Sequence, residues 1–338
     1  EKSPKWRLTC GYITRADYET AWTHYGLSLF ADDEAKRSEH LQKGIEEFRK
    51  FTAEGYRDHP VIAECFLGQA LCLYEQQHYF EVIQLLDIRQ ITSTNTPTET
   101  FRRMMYLRIR ACRALPSEWN LAWTAQQYFE ALPREHQLDT IELEMALEWV
   151  RSLTSLIRSL QVSDREFQRR NKTSGDPYQS SLQKRLELVA GVVYPYGDPW
   201  WAQLAELMEE VAMEAPFGCL ARSRRFFEQK RYDQAFRQAQ TGLRAMESNH
   251  QVAGSFDWNR DLQDKKVEEK LFADLRYLKA AACWNLHYWL EAHLGAREFL
   301  IHHVDDERTN QMCRSGIQAG LKALTVKGGL EPDGIATE

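Results

Sequence analysis

Two groups of arginines and one aromatic turn are the residues whose types and spacing could do chemistry. Arg102, Arg103, Arg108, Arg110 and Arg113 fall in one expected helix, and Arg222, Arg224, Arg225, Lys230 and Arg231 surround another. A guanidinium presents a planar fork of donors that matches a carboxylate in two bonds. Arg103, Arg110, Arg222 and Arg225 are therefore candidate clamps for an acidic peptide or a chain terminus. The competing expectation is a set of solvated positions with local i, i+4 ion pairs. The run Tyr194-Pro195-Tyr196-Gly197-Asp198-Pro199-Trp200-Trp201 gathers four large aromatics around a turn. Trp200 and Trp201 are candidate partner contacts, because Trp and Tyr dominate binding hot spots. The alternative is a staple that packs the turn onto the following helix.

Metal and catalytic chemistry find less. His302-His303 followed by Asp305-Asp306 is the nearest approach to a ligand set. Adjacent residues of a helix point about 100° apart, so the two histidines do not converge, and a solvated helix end is expected. Glu142, Glu144 and Glu148 read as a charged helix face. No HExxH, P-loop, GxGxxG, GxSxG or paired CxxC occurs. The seven cysteines stand singly and read as small buried hydrophobes. No catalytic residue, metal or cofactor is expected, and the chain is not expected to be an enzyme. With 43 basic and 49 acidic residues the net charge is −6, which gives nucleic-acid binding no support. The sequence has no apolar run of the length a membrane span needs. A soluble protein is expected. Asn171-Lys172-Thr173 fits a glycosylation sequon.

A helical rhythm must position these residues. Gly 17 and Pro 10 are too few for an all-β chain of 338 residues, which needs many tight turns. Tyr18, Ala21, Trp22, Tyr25 and Leu29 follow the spacing of one helix face. The same periodicity predicts helices over 16–30, 32–54, 61–76, 79–90, 98–115, 118–131, 138–161 and 179–193. It continues over 199–214, 217–229, 232–247, 269–286, 289–302 and 306–325. The stretch 163–180, with Gly175 and Pro177, reads as a loop or linker, and 249–265 as an inserted loop.

The helices come in pairs with a recurring signature. Leu41, Tyr79, Trp119, Tyr232 and Trp289 each stand three residues before a small or apolar one: Gly44, Val82, Ala122, Ala235 and Ala292. The small residue would let the second helix approach the first, and the large one would wedge into the turn between them.

At these residues the chain resembles the tetratricopeptide repeat family, whose unit is a helix–turn–helix of about 34 residues. The strongest matches are Arg225 to Ala245 and 277–300. The glycine usual in the family's inter-helix turn is replaced by Gln77, Ser117, Lys230 and His287. Phe48 to Leu86 and Ala296 to Leu324 are similar to repeats of bacterial cell-envelope proteins. The resemblance implies an all-α, right-handed solenoid of antiparallel helix pairs. It would comprise an array over 1–162, the linker 163–180, a second array over 181–326 and a tail over 327–338, or run as one continuous solenoid. It further implies a scaffold or adaptor that binds a protein or peptide in a concave groove, in the cytoplasm or a bacterial envelope. The alternative role is a structural subunit of a larger assembly, and after it an enzyme or sensor domain.

Overall fold

The computed structural model describes residues 4–52, 61–87, 98–115, 117–132, 136–171, 177–209, 211, 215–249 and 265–326. Among them are fourteen α-helices and no strand, so the chain is all-α. The first seven are α1 (Pro4–Leu29), α2 (Glu34–Thr52), α3 (Ile62–Glu75), α4 (Tyr79–Leu85), α5 (Thr98–Ala114), α6 (Glu118–Ala131) and α7 (Thr140–Asn171). The rest are α8 (Pro177–Val193), α9 (Trp200–Glu209), α10 (Pro216–Glu228), α11 (Tyr232–Asn249), α12 (Lys265–Asn285), α13 (Trp289–His302) and α14 (Thr309–Val326). No helix among the described residues is long and apolar enough to cross a membrane.

Each expected helix is present, with differences at several boundaries: α4 ends at Leu85, short of the expected 90, and α8 begins at Pro177, inside the expected linker. α1 begins at Pro4, well before the expected start, because proline at the first helical position is pre-set for the helix. α7 continues to Asn171, so 163–171 is helix where a loop was expected. No Gly or Pro interrupts Thr140–Asn171. α12 begins at Lys265, inside the expected loop. Residues 172–176 of the expected linker, 250–264 of the expected loop and the tail from 327 lie outside the described residues.

The chain divides into two compact units, Glu1–Ser152 and Leu153–Glu338, with the division inside α7. In the first unit α2 packs on α1 and α3, and α4 on α3 and α5. The odd-numbered helices also pack on one another, α1 on α3 and α3 on α5. The core is aromatic. Trp22 meets Phe48 edge-on at 5.1 Å, and Phe129 stacks on Trp149 at 5.5 Å. Gly68 lies flat against the Phe48 ring, where even a Cβ would fall 2.3 Å from a ring carbon. In the second unit α9, α11 and α13 each pack between two neighbours, while α8 packs on α10, α10 on α12 and α12 on α14. One cluster of its core gathers the small residues Ala273, Ala280 and Ala296 around Phe299 and Met312.

Three of the inter-helix turns share one geometry. Gln77, Lys230 and His287 have φ of 62°, 59° and 61°, the left-handed region that glycine favours. In each turn the residue after it donates its N–H to the carbonyl five back: His78 to Leu73, Arg231 to Phe226 and Tyr288 to Cys283, at 2.8–2.9 Å. The left-handed residue itself donates to the carbonyl three back, Tyr74, Phe227 or Trp284. This pair of bonds is the Schellman ending of a helix. An aromatic pair clamps each turn edge-on: Tyr74 with Tyr79 at 5.2 Å, Phe227 with Tyr232 at 5.3 Å, Trp284 with Trp289 at 5.2 Å. Tyr79, Tyr232 and Trp289 thus act as the expected wedges. Val82, Ala235 and Ala292 are buried behind them.

The α5–α6 turn departs from this, and the alignment through Trp119 and Ala122 is corrected. Ser117 has φ −117°, and its N–H reaches Cys112 five back at 3.4 Å, so it matches His78 and not Gln77. The preceding residue is Pro116, whose ring excludes a positive φ. The register moves by one. Leu121, bonded to the Ser117 carbonyl, takes the place of Val82, and Glu118 takes the aromatic place. Trp119 is left 54% exposed.

Candidate functional site

In the second unit the site is built from the aromatic turn outward. Tyr194, Trp201 and Phe217 form a triangle of edge-on rings, with centroids 4.9, 5.4 and 5.9 Å apart. Gly197, at φ 65°, closes the turn by donating its N–H to the Tyr194 carbonyl. Trp201 is buried within this triangle and presents no surface to a partner; it is the staple. Trp200 is half-buried beside it. The Tyr194 hydroxyl donates to Asp274 on α12, whose other oxygen takes Arg308 at 2.7 Å. Burial and the Asp274 carboxylate push the Tyr194 phenol well above its ordinary range.

Ala202 and Ala205 of α9 and Ala221 of α10 are too small to fill the space between these helices. They floor a cleft of about 410 Å³, rimmed by Glu206, Glu209, Arg224, Arg225 and Glu228. Arg225 pairs across the cleft with Glu209, whose carboxyl burial pushes above its usual range. Arg224 reaches Asp198 at 3.3 Å and Glu228 at 3.5 Å. Arg222 turns the other way, its Nε donating to Gln238 on α11 at 3.0 Å. Arg222 and Arg225 therefore do not converge: three residues along a helix rotate one away from the other, and each has found a different neighbour. Glu187 of α8 seats the start of α10, accepting the Phe217 and Gly218 N–H groups at 2.9 Å each. Desolvation pushes this carboxyl up to about 7, against the pull of those two donors and of Arg222.

In the first unit the arginines of α5 separate into distinct roles. Arg108 is buried, donates to the Leu86 carbonyl at the end of α4 at 2.9 Å and lies over the Trp123 ring. Arg102 pairs with Glu99 and Asp139, and Arg113 with Glu148 at 2.6 Å. Arg103 is exposed and pairs with Glu99 one turn back. Arg110 is exposed, with its guanidinium 5.3 Å from the Tyr74 ring of α3 and 5.9 Å from that of Tyr106. Tyr106 donates its hydroxyl to Glu144 of α7 at 3.0 Å. Arg110 thus sits on a surface to which three helices contribute.

Glu142 is corrected from surface charge to buried hub. It accepts the Tyr128 hydroxyl, the His136 Nε2 at 2.8 Å and the Asp139 N–H at 2.9 Å. Asp139 in turn accepts the Glu142 N–H at 2.9 Å, a reciprocal cap at the start of α7. The acid-x-x-Glu spacing was the available signal. Near the end of the chain, His303 contacts Arg276 at 3.0 Å and Asp306 pairs with Arg308 at 2.7 Å. Among the described residues no three His, Cys, Asp or Glu side chains are gathered as a metal would require. Cys65, Cys72, Cys112, Cys219 and Cys283 are buried, and Cys313 is exposed. Burial pushes the Cys65 and Cys72 thiols up to about 12, which leaves them inert. The Asn171 sequon continues outside the described residues. No protein-family model, curated protein or solved structure matches this chain.

Proposed function

We propose that the chain is a divergent tetratricopeptide-type repeat protein that serves as a non-enzymatic scaffold. Each unit would be a solenoid of antiparallel helix pairs holding a protein or peptide partner. The observation that carries this reading is the turn geometry shared by α3–α4, α10–α11 and α12–α13, at the positions where the family places glycine. The packing of alternate helices on one another supports it. Stacked pairs leave one face lined by the first helix of each pair, and such faces suit extended or helical partners. Within that reading Arg110, on the surface shared with Tyr74 and Tyr106, and Arg225, on the α9–α10 cleft, are the candidate contacts that keep an exposed guanidinium. Arg103, which is also exposed, and the half-buried Trp200 are further candidates. Arg222 and Trp201 are proposed to act by supporting the fold.

The test is affinity purification of the whole chain and its R110E and R225E variants from the native source. Mass spectrometry would follow, with thermal unfolding as the control. A defined partner that weakens with either variant at unchanged stability supports the scaffold. Retention of every partner by both variants contradicts these contacts. A chain recovered only inside a fixed, salt-resistant assembly would favour the structural-subunit reading.

A further inference from the structure

α14 carries an uncovered apolar stripe with a basic edge. Ile317, Leu321 and Leu324 are exposed by 59%, 59% and 67%. They recur at i, i+4 and i+7, so they form one face of the helix. The preceding pair shows what covers the matching face elsewhere. On α12, Leu275 approaches Gly242 of the helix before it, while Arg276 bonds Glu298 and Ala280 approaches Gly295, both on the helix after it. The two covered faces of α12 therefore lie about one residue step, or 100°, apart. On α14, Gly316 is the residue that faces back: it approaches Ala296 and accepts a hydrogen bond from His293 at 2.9 Å. One step on comes Ile317. The stripe thus sits where a following helix would pack.

Charge selects the occupant. α14 contains Arg314 and Lys322 and no acidic residue. Lys322 is engaged, with Nζ 3.8 Å from the centre of the Trp289 ring. Arg314 is exposed at the edge of the stripe and has no ion-pair partner among the described residues. A second copy docking α14 against α14 would bring like charges together, which is unfavourable at an interface. We infer that α14 docks an amphipathic helix of a partner protein, apolar on one face and acidic beside it, in the place of the next second helix. This site is separate from the α9–α10 cleft and does not depend on it.

The probe is a labelled peptide of about 18 residues with leucines at helical spacing and flanking glutamates, long enough to form a helix on binding. A permuted peptide of the same composition and a version with lysine for glutamate serve as controls. Fluorescence anisotropy would be read on the whole chain and on its L321E, R314E and R225E variants, with circular dichroism confirming their folding. The acidic amphipathic peptide is expected to bind at least about tenfold tighter than either control. L321E is expected to weaken it by about tenfold or more, because it puts a carboxylate into the apolar stripe. R314E should narrow or reverse the preference over the lysine peptide, and R225E should change nothing. Equal binding of all three peptides, or full binding by L321E, overturns the inference. So does a dimer in sedimentation velocity that L321E converts to monomer, since a second copy would then hold the face.

Discussion

The α12–α13 turn and the α5–α6 turn stand between helices of similar length, and both were aligned by the same large-and-small signature. Only the first keeps it. At α12–α13 a left-handed His287 lets the chain make both closing bonds, and Trp289 drops onto Trp284. At α5–α6 a proline holds the place before Ser117, one closing bond remains, and Trp119 is left in solvent. The difference teaches that the aromatic clamp needs a ring at the place set by the turn's closing bonds. At α5–α6 that place holds Glu118, and Trp119, one residue on, is left exposed.

The sharpest way to break that comparison is to remove the two tryptophans. Trp289 is buried against Trp284 and carries Lys322 on its face, so Trp289→Ala should destabilise by about 3 kcal/mol or more. Trp119→Ala should cost less than about 0.5 kcal/mol, as an exposed side chain with little packing to lose. Urea unfolding followed by circular dichroism gives both values. Equal costs would mean that the two turns are not distinct.

A second test concerns how the helix before a turn is seated. Val61 makes no side-chain cap for α3, whereas α10 is capped from outside by Glu187. Folding raises the Glu187 pKa from 4.5 to about 7, so the folded chain holds this proton more tightly than the unfolded one. Its stabilising contribution is complete below about pH 4.5 and is lost as pH rises toward 7, amounting to on the order of 2–3 kcal/mol. Glu187→Gln should flatten this part of the stability profile measured by thermal unfolding. An unchanged slope would show that the carboxyl is solvated.

The small residue behind the clamp can be enlarged. Ala235 is buried, and its carbonyl takes the Ser223 hydroxyl at 2.8 Å. Ala235→Leu should cost about 2 kcal/mol by overpacking the α10–α11 contact. Gln318→Leu, at an exposed position of α14, is the control and should be near neutral, read from urea unfolding of both variants.

The helices were legible because apolar spacing and breakers are local signals. Gly55, Pro60, Pro97 and Pro199 mark breaks that periodicity confirms on either side. The turn positions Gln77, Lys230 and His287 were legible only through the repeat alignment, since nothing about these side chains announces a positive φ. Their aromatic partners Tyr74, Phe227 and Trp284 were missed: the contact spans the turn, and a single-helix pattern does not contain it. The arginines were located on the right helices but not assigned to neighbours. Whether Arg108 is buried under Trp123 or Arg110 lies over Tyr74 depends on which helix packs where. Glu142 was misjudged for the same reason, its three donors coming from α6, from the segment before α7 and from the helix start.

The central claim is that one left-handed turn geometry is repeated in both units, and a glycine scan of the four turns tests it most directly. An exposed residue at positive φ carries a backbone penalty that glycine removes. Gln77→Gly and Lys230→Gly should therefore each raise stability by about 0.5–1 kcal/mol, and His287→Gly by less because its ring also contacts Trp289. Ser117→Gly, at a negative φ, should lower it by a few tenths of a kcal/mol. Gains at 77 and 230 with a loss at 117, read from urea unfolding, are the result the repeated turn requires. Losses at all four positions would contradict it.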